Sequence, residues 1–252
     1  MRLSTKIIIP AFIILMGAGA YAALHKPTAP VAPAFTIPVA NNAEQEILQE
    51  LSAKLHQMDT LTVLTITGSI NAKDLADSSN AMQADFVYSR QGNIAYYRLG
   101  QNEMISLADA YIAIAHDAKK IFLSPAKEVV NPVKMPTSEE VDFLSKEGYK
   151  VSRSQINDLL QISLVSPTHI SCREYRVSFD STGLVRQSFM RMTDSYEPKN
   201  HDRDKLVQLN INNWALGKVR TDLLRMDRYI RIVNGEPIPA PSLKEYELIR
   251  EQ

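Results

Sequence analysis

Three groupings of residues have the types and spacing to do chemistry. Ser124 and Lys127 in "SPAK" have the Ser-x-x-Lys spacing of a serine nucleophile with a lysine base. That chemistry needs both residues on the first turn of a helix, where the amine lies beside the hydroxyl. Here Ser124 closes a β-rich run, Pro125 follows it, and "EVVNPV" beyond Lys127 has no helical apolar period. The spacing therefore reads as a strand-end turn. His169 and Cys172 contain the residue types of a Cys-His pair, but three residues apart on one strand they would point to opposite faces. The expected role of Cys172 is that of a small buried or edge thiol. The loop "DSYEPKNHDRD" gathers Asp194, Glu197, His201, Asp202 and Asp204, a set that could touch a cation. It lacks the alternating Asp/Asn and the glycine of a calcium loop, and reads as a solvated hairpin tip. No catalytic residue, metal ligand or cofactor is assigned from these groupings.

A fourth pattern is apolar. Leu64, Ile66, Phe86, Tyr88, Tyr96, Ile112 and Ile114 recur in short β-rich runs. Strands buried on one face look the same whether that face packs on side chains or lines a ligand space. Both readings stay open, as they do for Trp214.

The elements that must position these residues follow from periodicity. Asn42 with Gln45 resembles a capping box, and Ala43, Ile47, Leu48, Leu51, Leu55 and Met58 fall on one helical face. From Leu61 the period becomes two. "LTVLTITGSI", "MQADFVYSR", "NIAYYRLG", "EMISL", "YIAIAH" and "KIFLS" are separated by short turns, the spacing of an antiparallel meander. Between Pro132 and Pro167, "TSEEVDFLSKEGY" and "SQINDLLQISL" are expected to form two helices over the sheet. A second strand set follows in "HISCREYRVSFD", "LVRQSFMRMTD" and "DKLVQLNINNWAL", with Arg173, Tyr175, Val177 and Phe179 on one face. The Pro-containing tail is expected to add an edge strand.

The N-terminus has Arg2 and Lys6, an apolar run from Ile7 to Met16, and small residues ending at Ala20-Tyr21-Ala22. That is the layout of an export signal cleaved after Ala22. The alternative is an uncleaved anchor, because residues 7–24 are 18 largely apolar residues. Residues 23–41 form a Pro/Ala-rich linker, and 42–252 a single domain with a C-terminal tail. The chain of 252 residues has a formal charge of +0, which excludes the basic footprint of a nucleic-acid binder. Cys172 is its one cysteine, so no internal disulfide can form and stability must come from packing.

The order of elements from the helix through "ADFVYSRQGNIAYYRLG" and "EMISLADAYIAIAHDAKKIFL" resembles the outer-membrane lipoprotein carrier and receptor (LolA/LolB-like) family. Asp85-Phe86-Val87-Tyr88 matches the family's first strand motif and the run from Ile105 to Ala110 its third. "EYRVSFDSTGLVRQSFM" is similar to its later hairpin. The resemblance spans residues 42–215 and implies an α+β fold: a curved antiparallel sheet, an open or half β-barrel, with an N-terminal helix and a helical insertion covering its mouth. It also implies a non-enzymatic periplasmic protein of lipid transport, whose apolar stripe binds an acyl chain, lipid or lipoprotein. The alternative is a component of a cell-envelope complex that binds a protein partner through a sheet edge and the C-terminal tail.

Overall fold

The computed structural model describes residues 42–128 and 147–250. The export signal, the linker and most of the helix expected from Thr137 lie outside the described residues. Helix α1 spans Asn42–Asp59 and buries Leu48, Leu51 and Leu55, spaced three and four apart, with Ile47 and Met58 packed beside them. Thr60 ends it by donating its hydroxyl to the Gln57 carbonyl at 2.7 Å.

Six strands follow in a meander: β1 Val63–Asp74, β2 Ala81–Gln91, β3 Ile94–Leu99, β4 Asn102–Ser106, β5 Tyr111–Ala115 and β6 Lys120–Ser124. A second meander contains β7 Lys150–Ile156, β8 Leu159–Val165, β9 Cys172–Phe179, β10 Val185–Met192 and β11 Lys205–Leu216. The chain ends in a small hairpin, β12 Ile230–Val233 with β13 Glu236–Pro239, and a last strand, β14 Glu247–Arg250. One sheet of 12 strands runs β14-β6-β5-β4-β3-β2-β1-β11-β10-β9-β8-β7. It is curved and unclosed, with β14 and β7 as its edges. Every pairing is antiparallel except β14 on β6, which is parallel because the tail returns across the sheet before joining it. The expected edge strand from the tail is thus formed.

The sequence 154–164, expected as a helix, is instead the β7–β8 hairpin. Ile156, Leu159, Leu160 and Leu164 suit a helical period, but Asn157 and Asp158 take positive φ values of 47° and 63° and close a two-residue turn. Such turns match the twist of paired strands, and Asn and Asp tolerate their backbone. The winning period is two: Ile162 and Leu164 are fully buried, opposite Val177 and Tyr175 of β9.

Alternation places two clusters on the two faces of the sheet. On one face α1 packs with Leu64, Ile66, Phe86, Ile162, Val177 and neighbours. On the other, Tyr96, Ile105, Ile112 and Ile121 are covered by Leu223, Leu224, Tyr229, Ile230 and Leu243 of the returning C-terminal segment. Being covered on both sides explains why β3 and β4 are buried at consecutive rather than alternate positions.

The joint between the meanders is the β1–β11 pair. Its register shifts at Thr67/Gly68, where Thr67 faces Asn213 and Gly68 faces Ile211, so Asn212 is an extra residue on β11. Such a bulge bends the strand and increases local twist. Gly68 is required there, since a Cβ would lie 2.1 Å from the Asn210 carbonyl and 2.6 Å from the Phe86 ring. Gly68→Ala should therefore destabilise the fold by roughly 1–3 kcal/mol, read as a lower urea midpoint, because the obstructing atoms include backbone that cannot swing away.

Candidate functional site

The seven apolar residues singled out in the sequence do not share one face. Register places Ile66 opposite Tyr88, Tyr88 opposite Tyr97, and Tyr97 opposite Met104, all on the α1 side. Leu64 and Phe86 belong to the same cluster, and Trp214 packs against it with its indole N–H donating to the Val185 carbonyl at 2.8 Å. Tyr96, Ile112 and Ile114 lie on the opposite face under the C-terminal segment. A single ligand space can be lined by Leu64, Ile66, Phe86 and Tyr88, but not by the other three. The residues that extend the α1-side face are Tyr97 and Met104, which neighbour Tyr96 and Ile105 in sequence and so carry the opposite phase.

The α1-side face is apolar with few polar intrusions. Tyr97 is 2% exposed, its ring centroid 6.3 Å from that of Phe86. Burial pushes its phenol well above the ordinary tyrosine range, so it stays a neutral hydroxyl. Toward β5 the ring of Tyr111 has the Lys127 ammonium 5.9 Å from its centroid.

Ser124 and Lys127 do not stand on a helix. Ser124 ends β6, is 6% exposed, and donates weakly to the Pro125 carbonyl at 3.4 Å, while Lys127 sits in irregular chain over Tyr111. His169 precedes β9 rather than lying on it. Its Nδ1 accepts the backbone N–H groups of Ser171 and Cys172 at 3.2 and 3.1 Å, which leaves Nε2 to donate to Glu147 at 2.9 Å. The imidazole thus faces the backbone of Cys172, not its thiol. Burial pushes the Cys172 thiol up to about 11, against partial lowering by the Glu174 backbone, so little thiolate is present near neutral pH.

The loop read as a solvated tip is anchored by buried charge. Asp204 is fully buried; Arg191 Nε lies 2.6 Å from its Oδ2 and Arg173 Nε 3.1 Å from the same oxygen. Arg173 is 3% exposed and also donates to the carbonyls of Pro167 and Pro198. It is a bulge residue: Arg191 pairs with Glu174 and Met192 with Cys172, leaving Arg173 over. Asp194 is buried too. Its burial raises the carboxyl, but N–H donors from Tyr196 and Glu197, with Arg203 and Lys205 nearby, lower it overall. Among the described residues no three His, Cys, Asp or Glu converge as metal ligands. The missed signal was Arg173 itself: an arginine in phase with Tyr175, Val177 and Phe179 needs a buried carboxylate.

A second polar cluster had no signal in the spacing. His116 Nε2 lies 2.9 Å from Glu103 Oε1 and its Nδ1 2.7 Å from the Tyr246 hydroxyl, 130 residues away in the chain. It pins the chain end to the β4–β5 side of the sheet.

These features define an open half-barrel scaffold with an apolar helix-side face and polar ties at its margins. No family model and no curated relative matches the chain. Solved structures with a similar arrangement include an uncharacterized conserved protein from Thermus thermophilus, at 8% identity over 83% of this chain and 99% of that one, TM-score 0.42. A LolA superfamily protein from Nitrosomonas europaea aligns at 8% identity over 73% and 98%, TM-score 0.33. A structure described as a putative outer membrane lipoprotein-sorting protein domain from Vibrio parahaemolyticus aligns at 12% identity over 72% and 96%, TM-score 0.29.

Two outcomes are expected from the polar groups. Asp204→Asn, which strands Arg173 in the interior, should cost about 3–5 kcal/mol in chemical denaturation. Alkylation of Cys172 by iodoacetamide should be slow at pH 8 and accelerate as pH rises toward 11, since the reactive thiolate appears only there.

Proposed function

We propose that this is an exported envelope protein that binds an acyl chain or a lipidated partner on the α1-side face and performs no catalysis. The observation that carries this reading is the unbroken apolar strip Ile66, Tyr88, Tyr97 and Met104 across β1 to β4, flanked by Leu64 and Phe86. A sheet of 12 strands is about 50 Å across, whereas an 18-residue helix is about 27 Å long and 10 Å wide. The helix α1 contacts the β7 end and reaches Phe179 of β9 through Lys54, whose ammonium is 5.5 Å from that ring. Ile66, Tyr88, Tyr97 and Met104 are nonetheless buried, at 1–5% exposure, so a ligand reaches the strip by displacing the chain that covers it. An acyl chain matches its shape, and burial at about 0.8 kcal/mol per methylene drives association without a charged anchor.

The address rests on residues 1–22, read as an export signal, or as an inner-membrane anchor through residues 7–24 if cleavage does not occur. A second reading, an envelope assembly component, draws on one observation: β7 is a sheet edge whose residues from Ser152 to Ile156 are exposed, which leaves it open to strand addition. The tail is less suited to that role, since β14 is already paired with β6.

Native mass spectrometry of protein purified from a membrane-bearing host should show a co-purifying lipid. Met104→Trp should block a fluorescent monoacylglycerol probe while changing the melting temperature little. In a close-packed face the same change is overpacking, costing roughly 1–3 kcal/mol. A large drop in melting temperature, with no probe binding by the unmutated protein, would leave the assembly reading standing.

A further inference from the structure

The buried Tyr149 and Tyr229 and the half-buried Tyr246 satisfy their hydroxyls within the chain. Tyr149 donates to the Cys172 carbonyl at 2.6 Å, Tyr229 to the Leu223 carbonyl at 2.9 Å, and Tyr246 meets His116. Tyr97 differs. Its hydroxyl is buried and has no hydrogen-bond partner among the described residues, in the middle of the apolar strip beside Phe86, Tyr88 and Met104. Leaving a buried donor unmade is costly, and native folds leave few such groups. A phenylalanine would fill the same space without that cost, so packing alone does not account for the oxygen.

We propose that the Tyr97 hydroxyl is the donor for the ester or amide carbonyl oxygen of the bound acyl group, fixing where the head of the chain sits on the strip. This rests on the acyl-binding reading above. A plain hydrocarbon cannot satisfy the hydroxyl. A free carboxylate would have to be desolvated in this apolar surrounding, and Arg90, on β2 opposite Ala95, already directs its Nε to the Gly92 carbonyl at 2.8 Å. A neutral carbonyl meets a neutral phenol without either difficulty, so the ligand class is an acyl ester or amide rather than a fatty acid.

The test compares 1-monopalmitoylglycerol with its ether analogue 1-O-hexadecylglycerol, which lacks the carbonyl, by direct titration of each into the full chain and into Tyr97→Phe, with binding read by equilibrium dialysis. The unmutated protein should prefer the ester by roughly 5- to 10-fold, and Tyr97→Phe should lose that preference by weakening the ester alone. Equal affinities of the unmutated protein for ester and ether overturn the proposal while leaving acyl binding intact, and do so without relying on the variant. An ester preference that survives in Tyr97→Phe also overturns it, the hydroxyl then being satisfied by a buried water. Binding of neither compound by the unmutated protein removes the acyl-binding reading, and this inference with it.

Discussion

The β1–β11 ladder holds this fold together, because among the described residues it is the one strand pairing that joins the two meanders into a single sheet. It joins residues from opposite ends of the domain, and the side-chain bond from Thr65 to the Lys218 carbonyl spans 153 residues. Closing so long a loop is entropically costly until many contacts form together, so the ladder is expected to assemble after the local hairpins. Its length compensates: the register runs from Leu64 opposite Leu216 to Asp74 opposite Lys205. The bulge at Asn212 and the missing side chain at Gly68 set a bend in the middle of this joint, with the Phe86 ring laid across it. Curvature of the α1-side face thus originates in the same pair that unites the sheet.

That joint also divides the two faces by role. The C-terminal segment leaves β11, recrosses β3 to β6 on the far side, and ends as a parallel strand on β6. It seals one face with Leu223, Leu224, Tyr229 and Leu243 and is held by the Glu103, His116 and Tyr246 contacts. The far face is therefore given over to structure. Ile112 and Tyr96 therefore belong to the support, whereas Tyr97 and Met104 lie on the α1 side that holds the candidate site.

Most of the strands were legible because alternation and short turns survive in a single sequence, and α1 because its leucines keep a helical period. The β7–β8 hairpin was not, since Ile156, Leu159, Leu160 and Leu164 fit a helical period while Leu160, Ile162 and Leu164 fit a strand, and the decision fell to the backbone tolerance of Asn157 and Asp158. The phase of the apolar stripe is lost across strands, not within them. Tyr96 and Tyr97 are adjacent and equally apolar, so composition cannot say which faces the helix. The turns can: Gly92-Asn93 and Gly100-Gln101 are two-residue connections, which pair Gln91 with Ile94 and Leu99 with Asn102. Counting inward from them places Tyr97 opposite Tyr88 and Met104. The buried Arg173 and Asp204 pair was half visible, as an arginine out of place on an apolar face; its partner lies 31 residues away and no local pattern names it.

Charge and hydrogen bonding are concentrated at the margins of the molecule, where Arg173, Arg191 and Asp204 hold one loop and Glu103, His116 and Tyr246 hold the chain end. The strip between them offers apolar area, which attracts without direction and scales with the surface covered. A face of that kind discriminates poorly among chains of similar length, since each added methylene contributes about the same increment. Orientation has to come from a polar group inside it. Because the surroundings exclude water, one neutral donor there weighs more than the same group at the surface, and it favours a neutral acceptor over a charged one. On the acyl-binding proposal, the undirected apolar strip supplies affinity and the Tyr97 hydroxyl supplies direction, a division of labour that suits a scaffold for chains of variable length.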